Sequence, residues 1–472
     1  AAECVTAPRA GRVSNALPTV LPHSMTCDCV GDGGPFIDEA CADTPVPASV
    51  EWTRAPRPLR ILEVCNEFPP TLGGSETHNA GEVDFLCRRG HDVCVLVARD
   101  WEARRRQRPI DEALRRLRRT PLWRWSPHGV PVYEAEDRNR RSTWSLARQY
   151  FTLSRRHGPF DVVVAHRAHY LPSLAAARRL VLTLHYMELA CPTHYSPALC
   201  SMKPDGRCTC YRRRSTWRNV TWWARRRLSV WLMDAVVTKY RTIQEKLIAS
   251  GIPASKVKHV PNWIDASAFG GRWRAWSGMP AGFADWARCA SLVFVALGRL
   301  HPYHGPVLAL EAFAQIAARN PGARLVFIGD GPEAEGLRAR IAEARLESRV
   351  WMLGGVPRED IPAALSWADC ALATSAVDNY TWRLLEVMAA GLPVIATTAG
   401  DTAYVVREGV TGYLCDCTPE AVAATMDRLA REWPFARSFG EAARKRIILD
   451  FSPANLLNYE AILYGDERAE YI

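Results

Sequence analysis

Polar residues collect where the apolar runs of this chain stop. "VVVAHRAH" closes on His166 and His169, and "VLTLH" closes on His185. "VALGRL" closes on Gly298 and Arg299, and "VFIGDGP" on Gly329, Asp330 and Gly331. One histidine at a strand end is commonly a packing or turn residue. Several polar residues at successive strand ends, facing one crevice, read as a site. The chemistry Arg299 offers is anion recognition, because a guanidinium is always charged and forks onto two oxygens. The stretch "FPPTLGGSETH" points the same way. It spends two prolines and two adjacent glycines between an apolar run and a helix. Gly73 and Gly74 let backbone N–H groups approach a bulky group, and a helix N-terminus favours an anion there. A tight strand-to-helix turn fits the same residues.

These residues need a scaffold that brings strand ends together. From "LRILEVCNE" onward, short apolar strands alternate with helices: "HDVCVLVA", "DVVVAH", "LVLTLH", "AVVTKY" and "VKHVPN". A connector rich in Trp, Gly, Ala and Arg follows at 270–290. A second series then runs through "LVFVALGRL", "ARLVFIGDG", "RVWMLGGV", "DCALATS" and "LPVIATT". Strands alternating with helices imply parallel sheets covered on both faces. Two series imply two Rossmann-like domains, with ligands in the crevice at the strand C-termini. The expected layout is an extension over 1–57, domains over 58–270 and 271–455, and a final helix over 456–472.

In motif order the chain resembles the retaining nucleotide-sugar glycosyltransferases of family four, over roughly residues 58–465. "GRL…HG", "LVFIGDGPEAEGLRARI", "VWMLGGVPREDIPAALSWADC" and "LLEVMAAGLPVIATTAG" follow one another as in that family's second domain. "PPTLGGSETH" and "RRGHDVCVL" match its first, and "FSPANLLNYEAILYG" resembles the helix that crosses back. The resemblance implies a GT-B fold, two Rossmann-like domains whose parallel sheets face a central cleft. It implies a hexosyltransferase that moves a sugar from a UDP- or GDP-sugar to an acceptor hydroxyl on a glycolipid, polysaccharide or small metabolite. Gly73 and Gly74 would lie beneath the donor phosphates. Arg299 would bind the leaving group. His185 would contact the donor sugar across the cleft, and Glu386 the ribose hydroxyls. Asp378 would face the transferred sugar, with backbone amides of Asn379, Tyr380 and Thr381 nearby. Asp378 also reads as a helix N-cap.

Three departures from the family pattern stand out. The second phosphate ligand, a lysine in the family, is His304 here. Tyr404 stands where a glutamate is usual, and Asp401 where the second glycine is. A degenerate member that binds nucleotide sugar or a partner without catalysis is the alternative these changes raise. No Asp-x-Asp occurs in the chain, so a metal-independent enzyme with no required cofactor is expected, its diphosphate held by cationic side chains and helix dipoles. Retention would proceed by same-face attack through a short-lived ion pair, with His166 a candidate on the acceptor side.

Composition adds partners. The net charge is +10, carried mostly by arginine. Arg and Trp mix within 99–156 and in "YRRRSTWRNVTWWARRRLSVW". Such stretches read as solvated helix faces, as a surface for anionic lipid headgroups, or as a stacking platform for single-stranded nucleic acid; no nucleic-acid partner is expected. Cys191, Cys200, Cys208 and Cys210 crowd one insert and could hold zinc or an iron–sulfur cluster, although paired Cys-x-x-Cys knuckles are missing. No run is long enough to span a bilayer and no signal peptide is read, so the expected place is the cytoplasm, with peripheral contact on the inner membrane face.

Overall fold

A computed structural model describes residues 52–66, 68, 74–98, 127–134, 143–185, 189–190, 216–376 and 382–466. Two sheets organise them. The first contains β1 (Arg60–Cys65), β2 (Asp92–Val97), β3 (Val132–Glu134), β4 (Val162–Ala165), β5 (Leu180–Leu184), β6 (Ala235–Thr238) and β7 (Val257–His259). Its order is β3-β2-β1-β4-β5-β6-β7, parallel throughout. The second contains β8 (Leu292–Leu297), β9 (Ala323–Ile328), β10 (Val350–Gly354), β11 (Cys370–Ala373), β12 (Val394–Thr397) and β13 (Gly412–Cys415). Its order is β10-β9-β8-β11-β12-β13, again parallel. Both are doubly wound, with the order reversing between β1 and β4 and between β8 and β11. Crevices open at such reversals, beyond the strand C-termini.

The strands are mostly apolar because both faces are covered, with Glu63 of β1 a buried exception. β4 and β5 are buried at every position. Among the described helices, α1 (Gly74–Arg88), α2 (Thr143–His157), α3 (Thr216–Leu232) and α4 (Arg241–Ala249) belong to the first half of the chain. α5 (Phe283–Arg288), α6 (Pro306–Ala317), α7 (Ala334–Glu343), α8 (Trp382–Ala389), α9 (Pro419–Arg431) and α10 (Ser438–Asp450) belong to the second. The stretch read as a bare connector thus contains α5, whose Phe283 stacks among Trp276, Trp286, Trp351 and Trp367. Trp52, placed in the N-terminal extension by sequence, packs edge-on against Phe85 of α1 at 4.8 Å.

The last described helix, α11 (Asn455–Tyr464), returns to the first sheet. Its Leu456, Tyr459 and Leu463 share a core with Ile61, Val95 and Val162. A buried ion pair pins it there. Glu460 accepts from Arg89 Nε and Nη2 at 3.0 and 2.9 Å and from His91 Nε2 at 2.6 Å. The charge of Arg89 has little solvent to fall back on, so removing its partner strands it. Glu460→Ala should therefore cost roughly 3 kcal/mol of stability, read as a lower urea midpoint. A midpoint equal to wild type would mean that the apolar face alone holds α11.

Candidate active site

At the reversal of the first sheet, the strand ends carry a buried polar network. Glu63 lies within β1, His166 directly follows β4, His185 follows β5 and Lys239 follows β6. α1 supplies His78 and Glu82, one helical turn apart and so on one face. Glu82 Oε1 accepts from Lys239 Nζ at 2.8 Å and pairs with His78 Nε2 at 2.7 Å. Neither member of the Lys239–Glu82 pair has any solvent exposure. Glu63 Oε2 accepts from His166 Nε2 at 2.9 Å, and Tyr459 of α11 donates to its other oxygen at 3.3 Å. With Nε2 donating to that carboxylate, His166 Nδ1 is left to accept from His185 Nε2 at 3.4 Å. The two imidazoles stack, 5.6 Å between centroids and 11° between planes. Glu63 thus orients His166, and His166 orients His185.

Electrostatics follow from burial. Burial, then the nearby His78, His166 and Lys239, hold His185 well below its ordinary range. His78 is pushed down to about 4, mainly by burial. Burial pushes Glu82 up, but the neighbouring His78 and Lys239 overcome it and carry the carboxyl well below its usual range. Burial keeps Glu63 above that range. At neutral pH His185 is therefore a neutral hydrogen-bonding group rather than a fixed cation.

At the reversal of the second sheet, a pocket lies between the loops after β8 and β11. Gly298, Arg299, His304, Thr374, Ser375 and Arg383 line it. Arg299 is exposed at its rim. The first turn of α6 opens into it through Pro306, and Gly305 caps that helix in the left-handed region at φ 64°. A β-carbon at Gly305 would collide with the Thr374 carbonyl, so the close approach of the two loops requires glycine. Glu386, one turn beyond Arg383 on α8, is 8% exposed. Burial raises its carboxyl, opposed by Arg358 and Arg383.

The two halves meet at Trp382. Its ring lies 6.4 Å from that of His78 and 5.5 Å from that of Trp263, with the Arg358 guanidinium 5.0 Å above it. His78 in turn packs edge-on to His185 at 5.3 Å. A second joint explains two departures from the family pattern. Asp401 accepts from the backbone N–H groups of Arg241 and, at 3.0 Å, Thr242. It caps α4 from the other half of the molecule, where the local N-cap Tyr240 offers no side-chain bond. Tyr404 carries the Arg241 guanidinium 4.1 Å over its ring. Both changed residues are committed to holding the halves together.

Comparison with known proteins fits this geometry. The family model for Glycosyltransferase Family 4 matches residues 72–268, and that for Glycosyl transferases group 1 matches 290–446. The chain belongs to glycosyltransferase family four. A GDP-mannose-dependent alpha-(1-6)-phosphatidylinositol monomannoside mannosyltransferase of Mycolicibacterium smegmatis is 24% identical, over 81% of this chain and 92% of that protein. N-acetyl-alpha-D-glucosaminyl L-malate synthase of Bacillus anthracis is 32% identical, over 33% of this chain and 40% of that protein. The crystal structure of Anabaena HepE in complex with UDP shares the fold, with a TM-score of 0.62 at 20% identity, covering 86% of this chain and all of the other.

In this glycosyltransferase the sequence-expected residues fall in three groups. His185 and Arg299 stand at the two strand reversals, with His304 and Glu386 beside the second. Gly74 begins α1. Gly73, Asp378, Asn379, Tyr380 and Thr381 lie outside the described residues, as do Cys191, Cys200, Cys208 and Cys210. Among the described residues no cluster of His, Cys, Asp or Glu is arranged to hold a metal. His166, expected on the acceptor side, is instead buried and engaged with Glu63. Glu63, Lys239, Tyr459 and Arg383 went unread. A charged residue inside or just after an apolar strand was the available signal for Glu63 and Lys239.

His78 and His259 are both held down to about 4, by burial in each case, against an ordinary 6.5. Glu82, Lys239, His166 and His185 surround His78. The unfolded chain binds more protons between pH 6.5 and 4, so this stability is full above 6.5 and is lost as the pH falls toward 4. A His78→Gln variant should show a flatter fall, by roughly 1.4 kcal/mol per pH unit below 6.5. Urea midpoints from pH 7.5 to 4.5 give the slope; equal slopes would mean that His78 is not held neutral.

Proposed function

We propose that this glycosyltransferase transfers a hexosyl group from a UDP- or GDP-sugar to an acceptor hydroxyl, with retention and without a divalent metal. The observation that carries the reading is the meeting, through His78 and Trp382, of a neutral histidine at one strand reversal with an arginine-lined pocket at the other. The UDP of the Anabaena neighbour and the GDP-mannose dependence of the mycobacterial relative support the donor class.

Breaking the bond from the anomeric carbon to the phosphate oxygen sends its electron pair to the phosphate. Arg299 and the first turn of α6 meet that charge. The acceptor oxygen attacks the same face of the ion-paired sugar, and its proton passes to the departing phosphate oxygen. His185 contacts the donor sugar, and Glu386 accepts from the ribose hydroxyls. Asp378 faces the sugar, with the amides of Asn379, Tyr380 and Thr381 nearby, and Gly73 and Gly74 lie under the phosphates.

A panel of nucleotide sugars in a thermal-shift assay, followed by donor hydrolysis on any hit, tests this. One donor should stabilise the protein and be slowly hydrolysed, and His185→Ala should cut hydrolysis by about 100-fold or more while binding persists. Binding without turnover would point to the degenerate member instead. No shift with any donor would leave only the fold.

We also propose that the enzyme works against an anionic membrane surface. α3 presents Val220, Trp223, Leu228 and Trp231 to solvent, Trp231 at 76% exposure, interspersed with exposed Arg225 and Arg227. Among the described residues no helix is long and apolar enough to cross a membrane. Trp223→Ser/Trp231→Ser should reduce co-sedimentation with phosphatidylglycerol vesicles by about tenfold and leave hydrolysis of a soluble donor unchanged. Wild-type protein that ignores such vesicles would end the proposal.

A further inference from the structure

We propose that Arg383 is the second cation of the leaving-group site, held in place by His304. The inference rests on the donor reading above and extends it to a residue that reading did not use.

Among the described residues lining the pocket after β8 and β11, Arg299 and Arg383 carry the permanent charges, and none is acidic. Two guanidinium groups at one pocket suit a dianion such as a terminal phosphate. The path of Arg383 is built into the backbone. Its side chain crosses directly over Gly298, which sits at φ 130°, and a β-carbon there would collide with Arg383 Cδ and Nη1. Gly298 therefore lets the guanidinium enter from the start of α8.

Arg383 Nη2 lies 2.7 Å from His304 Nδ1. A guanidinium only donates, so Nδ1 must accept, and the ring proton sits on Nε2. His304 thus acts here as an orienting acceptor, while the charge at this edge of the pocket is that of Arg383. Glu386, one turn further along α8, is close enough to feel the same guanidinium. Arg383 accordingly stands between the pocket and the carboxylate assigned to the ribose. The replacement of lysine by His304 then moves the charge to position 383 rather than losing it.

Calorimetric titration with UDP, GDP, uridine and guanosine tests the assignment. Arg383→Gln should weaken whichever diphosphate binds by about 10- to 100-fold, the size of one lost charge-assisted hydrogen bond, and leave its nucleoside unaffected. Arg383→Lys, which keeps the charge and guards against a folding defect in the first variant, should recover part of the loss. The exchange His304→Lys/Arg383→Val should restore diphosphate binding to within a few-fold of wild type. Diphosphate affinity within twofold of wild type in a folded Arg383→Gln protein overturns the inference alone. Wild-type protein that binds neither diphosphate overturns it together with the donor reading. Equal losses for diphosphate and nucleoside would make Arg383 a structural residue and would also overturn it.

Discussion

A lysine and a glutamate with no exposure to solvent lie beneath the cleft, and much of the site depends on how their charges are met. Taking two ions out of water costs several kcal/mol each, and one short contact seldom repays it alone. Here the contact is supplemented. Glu82 also takes His78, and Lys239 lies 5.2 Å from the centre of the Tyr459 ring. Those partners come from α1, from the loop after β6 and from α11, so satisfying one pair fixes three elements. The same positive charge reaches His185 and helps to keep it neutral. An imidazole at the cleft floor can then serve as a hydrogen-bonding group without repelling an oxocarbenium-like sugar.

The C-terminal helix belongs to this arrangement as much as to the core. Tyr459 reaches Glu63, and Glu63 sets the ring of His166, which sets His185. A residue near the end of the chain therefore bears on a side chain at the strand reversal of the first sheet. The hand-over by Asp401 runs in the same direction. A residue after β12 caps a helix after β6, so α4 gains a side-chain acceptor from the second half. Asp401 and Tyr404 look, by sequence, like losses from the family pattern. In the fold they are joints between the halves.

The alternating strands, the two series and the returning helix were legible because period and composition act locally. β3 and β13, an edge strand of each sheet, were not. The polar network was illegible for a different reason. Glu63 and His166 are 103 residues apart, Glu82 and Lys239 157, and Glu63 and Tyr459 396. No spacing rule pairs them; only the strand order does. His166 and His185 end neighbouring strands and look equivalent in sequence, yet one is locked to a carboxylate and the other packs between His166 and His78. Arg383 sits inside "DNYTWRLLE", a stretch read for its acids, and its direction depends on Gly298, 85 positions earlier by the numbering.

The two halves of the cleft divide the electrostatic work. The described part of the first half pairs its charges internally: carboxylates face a lysine and imidazoles, and the half-buried His185 is neutral. The second half brings two guanidinium groups and the first turn of α6 to one pocket. On the proposed donor reading, a leaving group that gains negative charge is drawn toward the second half, while a sugar that gains positive charge lies beside the neutral His185. That separation lowers the barrier only when the halves are held at a fixed distance, because fields in a closed site fall with separation and with entry of water. The contacts of Trp382 with His78 and Trp263, and of Asp401 with α4, set that distance. The joints are therefore as much a part of the chemistry as the charges they align.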